Sequence, residues 1–297
     1  FLIARISMKQ KSKALFWVLV FSFFWSFSIV IVKSLLIKKL NAFTILFQSQ
    51  MVVVILSSIF LFFKKEKFKT ITKKSLPWLL SFGTIGSGIG IGVSYIGLSL
   101  STSVNYGFII KTSAIFTVII AHFWHNDEKI NLRKIITSIT FLFGIYLIST
   151  NGKLIVPKIG DLLILFGAMI LGFSNNIVKI LVKYKVDSYV MVFFRVLGGL
   201  IISVFFLIIF QNPFFSPEFF SFLFLNGISI ALLMYATNKT IEYSSPSYLS
   251  MMSMIVPVIV TVFGVTIFGE TIGIYQIVGG VIIIVSGIVL EKRRVKI

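Results

Sequence analysis

The sequence predicts an all-α integral membrane protein with ten transmembrane helices in two inverted five-helix repeats. Hydrophobic residues make up 57% of the 297 positions and charged residues only 12%, whereas a soluble domain has about 25% charged residues. Ten apolar runs of bilayer-spanning length follow one another, and a segment of the first run recurs in the sixth. Together these observations exclude a water-soluble fold.

The predicted spans are uninterrupted apolar runs separated by short polar loops. Each run is about twice the length of a barrel strand and is apolar on all sides, so helices are required. The spans are 14–36, 43–63, 76–99, 101–123, 132–149, 159–182, 188–210, 219–241, 246–268 and 272–290. We group them into a first repeat at 14–149 and a second at 159–290, between an N-terminal tail at 1–13 and a basic tail at 291–297.

Lysine and arginine lie mostly on one side of the predicted membrane. Of the 28 Lys and Arg residues, twenty share the side of the N-terminus, four lie on the other side and four lie within spans. This bias predicts a protein of the cell membrane, plasma or inner, with both termini in the cytoplasm. Contact with anionic lipid accounts for the net charge of +19, so we predict a lipid bilayer and no nucleic acid as partner.

Residues for catalysis or cofactor binding are few. With no Cys and two His, the sequence excludes disulfides and thiolate metal sites. The nine acidic residues are scattered among different loops, whereas an enzyme needs converging acid, base or metal groups. We therefore predict no metal, no cofactor and no enzymatic activity.

A repeated segment indicates an internal duplication. FSIVIVK at 27–33 in the first span reappears as FSNNIVK at 173–179 in the sixth, with five of seven positions identical at an offset of 146. At an offset of 143, Asp127 falls on Glu270 and Gly144 on Gly287. Because each half has an odd number of spans, the halves enter the membrane from opposite sides, as in many secondary transporters.

Several short motifs then carry a family resemblance. They are WSFSIVIVK at 25–33, LGFSNNIVK at 171–179, Phe194 followed by Arg195, and Pro257 followed thirteen residues later by Glu270. In this order, over nearly the whole chain, they resemble the EamA-type permeases of the drug/metabolite transporter superfamily. The resemblance implies passage of small metabolites, often amino acids or related compounds, frequently outward.

The first half departs from the family pattern. It has 126–128 (Asn-Asp-Glu) where the family usually shows Gly-Glu, Ala114 where a proline is usual, and Gln48 or Gln50 where an arginine is usual. We therefore expect no strict functional symmetry between the two halves.

Lys111 is the most informative single residue. It lies ten residues into the predicted span 101–123, near the membrane midplane. A charge there costs about 3 kcal/mol and marks a water-filled path or a ligand; the alternative is a structural lysine, neutralised or bonded to carbonyls. Its repeat position is Met254, so only the first half carries this cation. We predict that a substrate carboxylate visits Lys111.

Three further cations lie within spans. Lys33 and Lys179 occupy the last turns of their spans, where a helix C-terminus favours positive charge and the side chain can snorkel to the headgroups. Neither is predicted to be essential. Arg195 lies about two turns inside the seventh span, and gating, substrate contact and snorkelling remain open for it.

Other candidate residues are polar or conformationally special. Glycines crowd the third span, where Gly86 and Gly90 serve packing or, alternatively, a flexible cavity lining, and Pro257 is expected to kink the ninth span. Spans that line the family's central cavity carry candidate substrate contacts, which interhelical hydrogen bonds could also explain: Asn105, Tyr106, Ser174, Asn175, Asn176, Tyr235, Asn238, Tyr248 and Ser250.

These residues predict a permease, an exporter or facilitator that moves a small polar metabolite such as an amino acid or organic anion by alternating access. No acid lies in the middle of a span, which favours facilitated diffusion or exchange over proton antiport. The alternatives are a flippase or transporter of a lipid-linked or nucleotide-type substrate and, less favoured, an integral-membrane enzyme.

Overall fold

The computed structural model describes residues 8–124, 132–153, 157–243, 249 and 252–291, in which helices joined by loops and turns occur and no β-strand does. The helices in chain order are α1 (Met8–Ile37), α2 (Ala42–Phe62), α3 (Leu76–Ser99), α4 (Ser103–Trp124), α5 (Leu132–Thr150), α6 (Ile159–Lys183), α7 (Ser188–Ile209), α8 (Phe220–Tyr243), α9 (Ser253–Phe268) and α10 (Ile274–Glu291).

Seven helices, α1–α4 and α6–α8, are long and apolar enough to cross a membrane. The other three contain shorter apolar helices, at Ile135–Thr150, Ser253–Phe268 and Ile274–Val289. The all-helical class is confirmed, but within the described residues seven spans, rather than the predicted ten, have full length. Part of the predicted ninth span, 246–268, lies outside the described residues.

Two ends of the helix bundle can be told apart by their loops. The terminal end, where α1 begins, has the α2–α3 loop beside the start of α7, since Lys67 Nζ lies 2.7 Å from Asp187 Oδ2. The distal end, where α1 ends, has the start of α2 beside the α7–α8 loop, since Thr44 Oγ1 donates to Pro213 O at 2.8 Å. Large apolar side chains such as Phe123, 80% exposed, cover outward faces of the bundle, as expected in lipid.

Helices α3, α4 and α9 contain irregular turns. Helix α3 is π-helical from Phe82 to Gly90, α4 contains a 3₁₀ turn at Ile110–Thr112, and α9 begins with a 3₁₀ turn at Ser253–Ile255. Such irregular turns are frequent at functional positions. Pro257 follows the last of them, in the first turn of α-helical geometry, where its missing N–H costs no helical hydrogen bond. Pro257 therefore lies at the start of the α-helical part of α9, and the expected kink of the ninth span stays a prediction.

Glycines bring α3 into close contact with α6. A Cβ at Gly86 would lie 2.2 Å from Ser174 Oγ, and a Cβ at Gly97 would lie 2.7 Å from Gly160 O. At Gly90 the nearest atom would be Ile170 Cγ2 at 3.1 Å. In this conformation the glycines of α3 serve close helix packing.

The remaining helices pack in defined pairs. Helix α1 packs on α8 and α9, α6 on α3 and α4, α2 on α7 and α8, and α5 on α10. Helices α4 and α9 also meet each other, so the two 3₁₀ turns of α4 and α9 lie in adjacent helices at the centre of the bundle.

Candidate functional site

Lys111 lies in the 3₁₀ turn of α4 and is only 5% exposed. Its Nζ donates to Ser253 Oγ at 3.1 Å and stands 3.9 Å above the centroid of the Trp25 ring. Ser253 belongs to the 3₁₀ turn of α9, and Trp25 to α1. The lysine at mid-span therefore joins three helices at the two irregular turns.

The sequence did not single out Trp25 or Ser253 as contacts of Lys111. A signal for each existed, since Trp25 opens the segment WSFSIVIVK and Ser253 precedes Met254, the repeat position of Lys111. Met254 is itself buried, at 3% exposure, and a Cβ at Gly287 of α10 would meet its Cε at 2.6 Å. The second half thus fills the equivalent position with a packed apolar side chain.

The polar residues of α6 contact α3 and α4. Ser174 Oγ donates to Phe82 O at 3.2 Å, and Asn175 Nδ2, on an exposed side chain, donates to Thr117 Oγ1 at 3.3 Å. Asn176 Nδ2 donates to Thr117 O at 3.1 Å. Among the described residues its buried Oδ1 has no hydrogen-bond partner.

Arg195 contacts the π-helical part of α3. Its Nε donates to Ser87 Oγ at 3.2 Å, and its guanidinium lies 5.5 Å from the centroid of the Phe82 ring. Gln50 Nε2 donates to Ser87 O at 3.4 Å. Within the described part of the chain, Gln50 Oε1 and Gln48 Nε2 are buried without a partner, so this region has unused hydrogen-bonding groups.

Asn105 and Tyr106 are buried near the start of α4. Tyr106 Oη lies 3.4 Å from Ser94 Oγ. Asn105 Nδ2 lies 3.2 and 3.1 Å from the two carboxylate oxygens of Asp161, and Gln276 Nε2 donates to Asn105 Oδ1 at 3.1 Å. The sequence did not single out Asp161 or Gln276.

Lys33 differs from the prediction that it snorkels. Its Nζ donates to the backbone carbonyls of Leu98, at 3.0 Å, and Ser101. A lysine at the end of α1 is thus held inside the protein by the α3–α4 turn, not extended to lipid headgroups. Lys179 also has an interaction partner.

The other predicted residues lie elsewhere. Tyr235 is 40% exposed and packs edge-on against Trp17, with ring centroids 5.4 Å apart, and Asn238 is half-buried three residues further along α8. Tyr248 and Ser250 lie outside the described residues.

Those predicted site residues that the structure describes therefore lie at several levels of the bundle and not in one pocket. Along α4, Asn105 lies roughly 9 Å from Lys111 towards the distal end, and Thr117, the contact of Asn175 and Asn176, a similar distance towards the terminal end. No group of three metal-ligating side chains occurs among the described residues. What these groups offer is hydrogen bonds, one buried cation and aromatic faces, which suit binding and release of a polar molecule.

Helices of spanning length, outward apolar faces and buried polar contacts define a multi-pass membrane protein. The model of the EamA-like transporter family matches residues 12–150 and 158–290. The chain belongs to the EamA-like transporter family, and the predicted resemblance is confirmed.

A relative and a solved structure are also similar to this chain. The chain is 25% identical over 264 residues to an uncharacterized transporter of Clostridium kluyveri, covering 82% of each chain. A solved crystal structure is similar to this chain at a TM-score of 0.65 and 13% identity, covering 94% of this chain and 96% of the other. At that identity the structural similarity shows the fold alone.

Proposed function

We propose that this protein carries a small polar metabolite with an anionic group, an amino acid or organic anion, across the cell membrane by alternating access. Two inverted five-helix repeats rock around a central site, and Lys111 binds the anionic group. No catalytic step is part of this function.

The observation that carries the proposal is the meeting of two irregular turns at Lys111. The 3₁₀ turns Ile110–Thr112 and Ser253–Ile255 are separated by 143 positions, the offset at which Asp127 falls on Glu270 in the sequence. Interrupted helices at the repeat interface are typical of transporter binding sites. The hydrogen bond from Lys111 to Ser253 joins these two turns.

The helix pairs support a two-fold relation between the halves. The contact of α1 with α8 corresponds to that of α6 with α3, and the contact of α1 with α9 to that of α6 with α4. The pairs α2–α7, α4–α9 and α5–α10 each join a helix to its own counterpart. Such an arrangement is expected if the second half is inverted relative to the first.

Lys111 suits an anionic group because of its charge and surroundings. Its ammonium has three donors, and a substrate carboxylate would form a charge-assisted hydrogen bond with it. At 5% exposure the lysine is closed off from solvent in this conformation. Substrate access therefore requires helix movement, as alternating access does.

Transport by purified protein in liposomes tests the proposal. The panel contains amino acids, organic anions, nucleotides and simple cations, and Lys111→Met should lower transport efficiency for the anionic or zwitterionic substrate at least about tenfold. Lys111→Arg should be partly tolerated and Lys111→Glu inactive. The matched control is Lys153→Met, which removes an exposed loop lysine and should leave transport unchanged. Parent-like transport by Lys111→Met, or a simple cation as substrate, contradicts the proposal.

A further inference from the structure

A cluster of polar side chains closes the distal end of the bundle, directly beyond the Lys111 region. We name it the distal cluster, and its members are Lys33, Ser101, Ser103, Asn105, Asp161, Glu270 and Gln276. They come from the end of α1, the α3–α4 turn, the starts of α4, α6 and α10, and the residues after α9. The cluster thus draws on both halves of the chain.

Asp161 is the centre of this cluster. Its side chain is 2% exposed at the start of α6, and its carboxylate accepts hydrogen bonds from Asn105 Nδ2 and Ser101 Oγ. Both neighbours present donors, and the two carboxylate oxygens accept these hydrogen bonds. Because Asp161 belongs to the second half and its donors to the first, the contact ties the halves together.

Glu270 makes a second tie of the same kind. Its Oε1 accepts from Ser103 N at 2.7 Å and Ser103 Oγ at 3.0 Å, and its Oε2 accepts from Val104 N at 3.1 Å. A carboxylate from the end of α9 therefore caps the N-terminus of α4, where the helix dipole favours negative charge. The cap holds α4 and α9 together at the distal end.

Lys33 acts as a positioning residue for both ties. Its Nζ bonds to Leu98 O and Ser101 O, which anchors the α3–α4 turn to α1. The same turn carries Ser101 and leads into Asn105, the two donors to Asp161. Fixing the turn therefore keeps these donors in reach of the carboxylate.

Backbone packing completes the closure. A Cβ at Gly97 would lie 2.7 Å from Gly160 O, and a Cβ at Gly160 would lie 2.7 Å from Leu100 O. The end of α3 and the start of α6 are thus in direct contact, which leaves no passage for a metabolite between them.

We infer that the distal cluster is a gate of the transport path, in which the contact of Asp161 with Asn105 and Ser101 must break before the distal end can open. This inference rests on the proposed alternating-access function. Asn105 Nδ2 lies close to both carboxylate oxygens, so replacing either oxygen by an amide NH₂ in Asp161→Asn makes two donors face each other. This repulsion destabilises the closed conformation, and the distal-open conformation becomes more populated.

Thiol labelling of this Cys-free chain tests the gate without any substrate. Val260→Cys places a reporter at a fully buried position of α9, where a Cβ at Gly107 of α4 would meet Val260 at 3.1 Å. Adding Asp161→Asn should raise its labelling rate by a water-soluble methanethiosulfonate about tenfold or more, because hydrogen bonds that the buried carboxylate accepts are lost. Asp187→Asn, the same change at the terminal end, is the matched control and should leave the rate unchanged.

An exchanged pair separates a broken contact from misfolding. Asp161→Asn combined with Asn105→Asp keeps one amide and one carboxylate, and Gln276 Nε2 can still donate to position 105. This variant should return the labelling rate to within about threefold of the parent. A second reporter, Leu79→Cys, buried near the terminal end, should stay slow throughout, since only unfolding would expose both reporters.

The outcomes decide the inference. If Val260→Cys is labelled at the parent rate in Asp161→Asn, the gate is overturned. Fast labelling that the exchanged pair does not reverse also overturns it, whether or not Leu79→Cys reacts. If labelling follows the expectation but liposomes transport none of the anionic substrates, the gate stands and the substrate assignment at Lys111 fails.

Discussion

Gly86 is the position at which packing and flexibility predict different outcomes. A Cβ there would lie 2.2 Å from Ser174 Oγ and 2.8 Å from Ser174 Cβ. Rotation of the Ser174 side chain can move the hydroxyl, but its Cβ is fixed by the α6 backbone. Because two carbon atoms in contact need about 3.5 Å, Gly86→Ala must separate α3 from α6 by roughly 0.7 Å.

The expected loss of stability follows from three effects. Over-packing a close-packed interior costs about 1–3 kcal/mol. The separation also weakens the hydrogen bond from Ser174 Oγ to Phe82 O, 3.2 Å, worth about 0.6 kcal/mol between membrane helices. Alanine's better helix propensity offsets about 1 kcal/mol. We therefore expect the free energy of unfolding to fall by about 1–2 kcal/mol.

A double-mutant cycle isolates the contact. Ser174→Gly alone should destabilise by about 1 kcal/mol, because a hydrogen bond is lost and a glycine is placed in a helix. Combined with Gly86→Ala, it moves a side chain from one helix to the other. The double variant should therefore be about 1 kcal/mol more stable than the sum of the two single losses predicts. Gly90→Ala is the control, since its nearest neighbour is a movable Ile170 methyl at 3.1 Å.

Unfolding in mixed micelles with increasing SDS, followed by tryptophan fluorescence, measures these differences, and transport is recorded in parallel. Additive effects in the double variant would refute the packing argument. A Gly86→Ala protein of parent stability that transports poorly would instead identify Gly86 as a hinge.

Two more predictions concern orientation and the terminal end. Lys73→Cys and Glu218→Cys lie in exposed loops at opposite ends, and only Glu218→Cys should react with an impermeant thiol reagent added to intact cells; labelling of Lys73→Cys would invert the orientation. Asp187→Ala removes both the ion pair to Lys67 at 2.7 Å and the cap that accepts from Tyr189 N at 2.9 Å. Asp187→Ala should lower the free energy of unfolding in the SDS titration by about 1–2 kcal/mol, whereas Lys67→Met should lower it by about 0–1 kcal/mol. A larger loss in Lys67→Met than in Asp187→Ala would show that the cap contributes nothing.

The burial of Ser75 differs from what its sequence surroundings suggest. Ser75 lies in the polar loop before α3 and reads as accessible, but it is fully buried and bonds with Thr72. A cysteine at that position would stay unlabelled whichever side it faced. Exposure of an individual loop residue depends on local hydrogen bonds that composition does not reveal.

Features that depend on residues close in the chain were predictable. The helical class and the family follow from runs of apolar residues and short motifs, and the depth of Lys111 follows from its distance to the ends of its run. The π-helical stretch of α3 was not predicted. Four of its nine residues are glycines, and the helix type there depends on which neighbouring helices pack against them.

The identity of side-chain partners required the tertiary structure. By itself the sequence determined that the chain is a multi-spanning helical protein with a cation in mid-span, because length and hydropathy are local properties. Only the tertiary structure decided that Trp25 and Ser253 contact this cation, that Lys33 bonds to carbonyls of the α3–α4 turn, and that Asp161 meets Asn105. Asn105 and Asp161 are 56 positions apart in the sequence, and Lys111 and Ser253 are 142 positions apart. These residues meet because packing at glycine contacts sets which helices are neighbours.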